Sequence, residues 1–361
     1  MPSKTYRPRS ASSLPRVTGV LAVGAALSLG LAACGSDPTP ASDADGVSVV
    51  TTTTQLGSIV DEIVACGGGV NTTILPIGAD PHDFSPSSAD VATMVQANVV
   101  ISNGLGLEEG LTDALASAAE DGAEVVAIAA LVDPIPFGEE DHSDEDHSDE
   151  DHSDEDHSDE DHSDEDHSDE DHSDEEHADE EHEHSGGLDP HFWFDMTRMA
   201  QASVIIGDTL AATGGSAYAD CGQQVSAEIL TAQTELEQIL SVVPESRRVL
   251  VTDHDAMEYF AAAYDFTVAG SVIPSGTTLA EPSSADLQAL VEVMKSAGVT
   301  AIFANAAEPA ALADAVAAEV GADVVVVPLF IESLGEPGSE AGTYTTMMLT
   351  NAERIADALR N

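Results

Sequence analysis

The chain has 361 residues, 42% of them hydrophobic, enough for two or three domains with real cores. Against 67 acidic residues it has 10 basic ones, a formal net charge of −57. It therefore offers no positive face to phosphates or anionic head groups, which argues against nucleic acid as a partner and favours a cation, a metal ion included.

Residues 1–16 carry Lys4, Arg7, Arg9 and Arg16 and no acid. A small-residue apolar run from Val17 to Ala33 follows, broken by glycines and short of the ~20 apolar residues a membrane span needs. A basic start, an apolar run and a small-residue exit predict a secretory signal over residues 1–33. Its end, Leu31-Ala32-Ala33-Cys34-Gly35, resembles the lipobox of bacterial lipoproteins. That resemblance implies acylation of Cys34 and anchoring to the outer face of the cytoplasmic membrane. The alternative is an ordinary cleaved signal with an incidental cysteine. Residues 34–46, rich in Ser, Pro and Asp, are expected to form a flexible tether.

From Val47 strand-like and helix-like runs alternate. Strands are expected at residues 47–53, 70–75, 99–102 and 124–128, and helices at 55–66, 87–97 and 108–119. The 55–66 segment shows helical spacing at Leu56, Ile59, Ile63 and Val64 and ends in Gly67-Gly68-Gly69. Ser87-Ser88-Ala89-Asp90 reads as the entry to the next helix. This rhythm predicts a parallel sheet with crossover helices, a first βα lobe over residues 47–195.

Residues 139–184 interrupt that lobe and hold 28 of the 67 acidic residues and 10 of the 13 histidines. Residues 141–175 are seven copies of Asp-His-Ser-Asp-Glu. With almost nothing apolar to bury and like charges along its length, the stretch is predicted to be a disordered loop over 139–185. A solvated acidic spacer would account for Asp, Glu and Ser. It does not account for imidazoles at near-constant spacing: His142, His147, His152, His157, His162, His167, His172, His177, His182 and His184. Weak, multi-site metal capture is the expected role.

Residues 196–246 contain no strand candidate and read as a helical connector. Tyr218–Leu240 alone would make a helix of ~34 Å, stiff enough to limit hinge opening. A second βα series fills 247–361, with strands expected at 249–252, 267–273, 299–304 and 323–329 and helices at 257–263, 284–295, 309–319 and 344–359. The expected fold class is thus α/β, two lobes with parallel sheets joined by a long connecting helix. Cys66 and Cys221 remain after export; they either pair or stay as two buried thiols.

Outside the repeat tract stand three histidines, His82, His191 and His254, 109 and 63 residues apart. Each sits at a strand end or loop edge, where open α/β sheets place ligands. Two of them share the sequence Asp-Pro-His. Asp80, Asp83, Asp253 and Asp255 flank them and are expected either to orient imidazoles or to cap helices.

Several longer motifs carry a resemblance. They are Gly78-Ala-Asp-Pro-His82-Asp-Phe-Ser-Pro, Asn103-Gly-Leu-Gly-Leu-Glu108, Asp189-Pro-His191-Phe-Trp-Phe-Asp and Asp253-His254-Asp-Ala-Met-Glu-Tyr-Phe. Further ones are Glu281-Pro-Ser-Ser, Ala301-Ile-Phe-Ala and Thr343-Tyr-Thr-Thr-Met-Met with Asn351, Ile355 and Leu359. From Val47 to Leu359 the chain resembles the cluster-A solute-binding proteins of bacterial ABC transporters, in particular their zinc-binding lipoproteins. The resemblance implies two βα lobes with metal held in the cleft between them. It puts His82, His191 and His254 on the first three ligand positions and Glu332 on the fourth, where the family commonly has aspartate.

Manganese members usually carry glutamate at the third position. Three imidazoles and one carboxylate suit Zn²⁺ in a tetrahedral shell instead. The implied function is capture of extracytoplasmic Zn²⁺ and its delivery to an ABC permease and its ATPase. Alternatives are manganese or another divalent cargo, a surface zinc buffer or adhesin, and a zinc hydrolase. The hydrolase has no support from a His-Glu-x-x-His or Gly-x-Ser-x-Gly motif, neither of which occurs.

Overall fold

The computed structural model describes residues 46–137 and 187–360. The expected signal, Cys34, the tether up to residue 45 and the histidine tract lie outside the described residues.

Four parallel strands form the first sheet: Ser48–Thr51 (β1), Val70–Thr73 (β2), Val99–Ser102 (β3) and Glu124–Ala127 (β4), in the order β2-β1-β3-β4. Helices Thr54–Gly67 (α1), Ser88–Val95 (α2) and Thr112–Glu120 (α3) provide its crossovers. The expected entry to α2 is a capping box: the Ser87 hydroxyl accepts the Asp90 N–H, and the Asp90 carboxylate accepts the Ser87 N–H. The second sheet repeats the plan with Val249–His254 (β5), Thr267–Ile273 (β6), Ala301–Asn305 (β7) and Val325–Leu329 (β8), in the order β6-β5-β7-β8. The short central strands β3 and β7 are fully buried, as strands covered on both faces by helices must be.

The connector differs in detail from a single long helix. Met196–Gly214 (α4) and Ala217–Leu240 (α5) are two helices joined at Gly215, whose φ of +105° is a conformation glycine adopts without strain. So short a link folds them back on each other. They meet where both lack side chains: a Cβ on Gly207 would stand 2.8 Å from Gly222 Cα. The helix α5 then packs on α1 of the first lobe and on Tyr344–Leu359 (α9) of the second. Cys66 on α1 and Cys221 on α5 are joined by a disulfide, with Cα atoms 5.9 Å apart. The remaining helices, Glu258–Tyr264 (α6), Ser284–Ala297 (α7) and Ala311–Val320 (α8), flank the second sheet.

One hydrophobic core runs without a break through both lobes. It includes Val49 and Ile59 from the first lobe, Leu236 and Leu240 from the connector, and Phe303 and Met347 from the second. Swinging the lobes apart as rigid bodies would expose this core to water. The fold therefore favours small motions over wide hinge opening.

Candidate metal centre

The expected donors come from four separate places. His82 lies in the turn after β2, and His191 precedes a short 3-10 turn at Phe192–Phe194. His254 is the last residue of β5, and Glu332 sits between β8 and α9. The positions after β2, β5 and β8 are carboxyl ends of parallel strands, the usual ligand-bearing edge of such sheets.

Local turn chemistry aims the histidines. In both Asp-Pro-His segments the aspartate accepts the histidine N–H two residues on, Asp80 Oδ1 from His82 at 2.9 Å and Asp189 Oδ1 from His191 at 2.8 Å. This is an Asx-turn whose middle residue is a proline that cannot continue a helix. Asp189 Oδ1 also accepts the ring Nδ1–H of His191 at 2.7 Å. Asp253 Oδ1 does the same for His254 at 3.0 Å, while its Oδ2 accepts the Asn305 N–H. With Nδ1 protonated and engaged, each ring presents the lone pair of Nε2. Asp253 is thus an orienting acceptor, and Asp80 fixes backbone rather than ring. Asp189 was not among the flanking residues singled out in the sequence, although the repeated Asp-Pro-His was its signal.

Glu332 is held from the other lobe. Gln55 Nε2 and Trp193 Nε1 donate to Ile331 O at 3.3 and 3.2 Å, the Gly78 N–H donates to Ser333 Oγ at 2.8 Å, and the Leu334 N–H donates to Thr54 Oγ1 at 3.0 Å. A second network fixes the His191 turn. The buried Glu108 carboxylate accepts the Thr52 hydroxyl and the N–H groups of Asn103 and Gly104, and Asn103 Nδ2 donates to Pro190 O at 2.9 Å. Burial nonetheless holds the Glu108 carboxyl above its ordinary range. This network explains the Asn103-Gly-Leu-Gly-Leu-Glu108 motif.

The four donors converge. His254, His191 and His82 place Nε2 at 2.8, 3.5 and 4.0 Å from Glu332 Oε1, and one ligand atom from each residue lies within 4.8 Å of every other. Four ligands at ~2.0–2.2 Å from a shared tetrahedral centre stand roughly 3.3–3.6 Å apart, so small adjustments close this set on one ion. All three Nε2 atoms and both Glu332 oxygens are buried without a well-directed hydrogen bond. Buried polar atoms without partners are costly, and here they all face one point.

Electrostatics fit a cation. Burial raises the Glu332 carboxyl, but His254, His191 and His82 outweigh it and bring it down to about 2. Burial pushes the His82 imidazole down to about 4; Glu332 opposes this, and the other two histidines add to it. Burial also lowers His254, yet Asp253 and Glu332 overcome that and hold it well above its ordinary value. At neutral pH the Glu332 carboxylate is therefore charged and His82 neutral, both metal-binding forms.

Comparison with known proteins points the same way. Residues 49–358 match the family described as zinc-uptake complex component A, periplasmic. The manganese-binding lipoprotein MntA of Halalkalibacterium halodurans is 24% identical, over 91% of this chain and 94% of that one. The zinc-binding protein TroA of Treponema pallidum is 26% identical, over 88% and 90%. In fold, the chain superposes on the periplasmic zinc-binding protein TroA of Treponema pallidum with a TM-score of 0.69 at 23% identity, covering 88% of this chain and 100% of that one. A Mn-bound periplasmic metal-binding protein of Candidatus Liberibacter asiaticus gives 0.67 at 19%, covering 87% and 99%.

Proposed function

The chain belongs to the periplasmic zinc-uptake complex component A family, which makes it a metal-binding, substrate-binding component of an ABC transporter and not an enzyme; from that premise we propose that its cargo is Zn²⁺, clamped by His82, His191, His254 and Glu332. The observation that carries this reading is the buried convergence of three imidazole Nε2 atoms and one carboxylate. Zn²⁺ accepts such a four-donor nitrogen-rich set, whereas Mn²⁺ prefers more oxygen donors and a larger shell. Manganese is the second reading, favoured by the name of the Halalkalibacterium relative. A competition titration of Zn²⁺ against Mn²⁺ on protein lacking residues 139–184 separates the two. Strong preference for Zn²⁺ supports the first, and preference for Mn²⁺ overturns it.

In this reading the loaded protein docks on a membrane permease driven by an ATPase. His82 and His191 come from the first lobe, while His254 and Glu332 belong to the second. Metal bound by all four favours the state in which the lobes meet, a population shift the permease can read. Lipid attachment at Cys34 would keep the protein on the outer face of the membrane; no helix among the described residues is long and apolar enough to cross it. The histidine tract would add weak capture sites. Phe137 and Gly187, which border that stretch in sequence, line a cavity shared with His82, so captured ions would be concentrated near the site mouth.

A further inference from the structure

The four donors sit at different depths. His191, His254 and Glu332 are 0%, 1% and 2% exposed, and His82 is 7% exposed. His82 also lines a cavity of about 370 Å³, with Leu105, Phe137, Leu188, Gly276 and Thr277 around it. Beneath the donors, the segment 331–334 is bonded to the first lobe through Gln55, Trp193, Gly78 and Thr54, and the continuous core lies behind it. The most exposed donor therefore lies at the rim, and the floor is bonded and packed.

Two contacts cross this rim from lobe to lobe. Asp80 holds the His82 N–H with Oδ1 and, with Oδ2, accepts the hydroxyl of Thr278 at 2.5 Å. The carboxylate that fixes the most exposed donor is thus bonded to the opposite lobe. Beside it the Phe137 ring lies against Gly276, where a Cβ would stand 2.1 Å from Phe137 Cζ. Gly276 does not occupy the left-handed region, so its missing side chain serves this close approach and not a backbone turn. The same Phe137 ring meets His191 edge-on, with centroids 6.5 Å apart.

We propose that Asp80 with Thr278, and Phe137 with Gly276, form a rim clamp that holds His82 closed against the second lobe and sets the rate at which bound metal leaves. These are positioning residues; none coordinates the ion. The inference rests on the metal-capture reading above and adds to it a release step. Opening requires the Asp80–Thr278 hydrogen bond to break and the Phe137 ring to move from Gly276, while the four bonds of the floor persist. The clamp acts on dissociation more than on association, because its contacts exist in the closed state.

The test is a release experiment on the full chain, loaded with one equivalent of Zn²⁺ and mixed with saturating chelator. Thr278→Val removes the donor to Asp80, and release accelerates about tenfold to a hundredfold, the span of one charge-assisted hydrogen bond. Thr278→Ser retains the hydroxyl and keeps the wild-type rate. Gly276→Ala drives a methyl into Phe137 and accelerates release at least about tenfold, as overpacking at a tight contact does. With Co²⁺ in place of Zn²⁺, the visible spectrum stays that of wild type in all three variants, since the ligand set is untouched. Release within twofold of wild type in Thr278→Val overturns the Asp80 half of the clamp, and in Gly276→Ala the Phe137 half. A changed Co²⁺ spectrum overturns the whole, because the residues would then act on coordination. If wild-type protein retains neither ion, the capture reading itself fails.

Discussion

Replacing His254 with alanine removes one donor from a buried set of four. Its Nε2 stands 2.8 Å from Glu332 Oε1, Asp253 holds its Nδ1 at 3.0 Å, and the donor group among the described residues consists of His254 with His82, His191 and Glu332. Structural zinc sites of four ligands bind with roughly 10–16 kcal/mol, or about 2.5–4 kcal/mol per ligand if shared evenly. The vacated volume admits water, which zinc accepts as a fourth ligand, so binding weakens without vanishing. The expected loss is on the order of 10²–10³-fold in affinity. Deleting residues 139–184 leaves the four donors in place and should change the tight-site affinity by no more than about threefold, the scatter of a distant change. The assay is competition against a chromophoric chelator for both variants, with thermal unfolding of the metal-free proteins to show that each is folded. Comparable losses in the two variants would refute the assignment of the tight site to the cleft.

Other expected outcomes follow from single contacts. Asp189→Asn exchanges the acceptor that holds both the N–H and the ring of His191, and zinc affinity should fall about 10- to 100-fold; a change under twofold would remove Asp189 from the site's machinery. Burial, with Asp255 and Asp189 adding to it, pushes the Glu258 carboxyl up to about 7 from an unfolded value of 4.5. Between those values the folded state binds more protons than the unfolded state, so stability declines as pH rises from 4.5 through 7. Glu258→Gln should therefore raise the stability of metal-free protein at pH 8, by about 1 kcal/mol once solvent screening at this half-exposed position is allowed for, and leave it unchanged at pH 4; equal effects at both pH values in denaturant titrations would contradict this. Replacing Cys34 should move the protein from the membrane fraction to the soluble one, and persistent membrane attachment would argue against lipidation there.

Much of this architecture was legible because its signals are local. Short β-branched runs alternating with amphipathic helices announce two parallel sheets, and Ser87 followed by Asp90 announces a helix start. Asp-Pro-His, occurring twice, encodes an Asx-turn that presents an imidazole, so His82 and His191 were visible as a pair. Other parts depend on contacts between distant segments. Gln55 meets Ile331 across 276 positions and Thr54 meets Leu334 across 280, so nothing near Glu332 reveals that the first lobe grips its loop. Periodicity foretold a helix over Tyr218–Leu240, observed at Ala217–Leu240, but not the folding of α4 onto it, which depends on Gly207 meeting Gly222. Phe137 belongs to no sequence motif and stands just before the acidic tract; only its approach to Gly276 and His191 gives it a role.

X-ray absorption at the zinc edge, on protein lacking residues 139–184 and loaded with one equivalent of Zn²⁺, tests the central claim most directly. The account predicts one retained ion with four nitrogen or oxygen neighbours at ~2.0–2.2 Å and the outer-shell scattering of three imidazoles. Loss of the ion on removal of the tract, or a shell with fewer than three imidazoles, would contradict it.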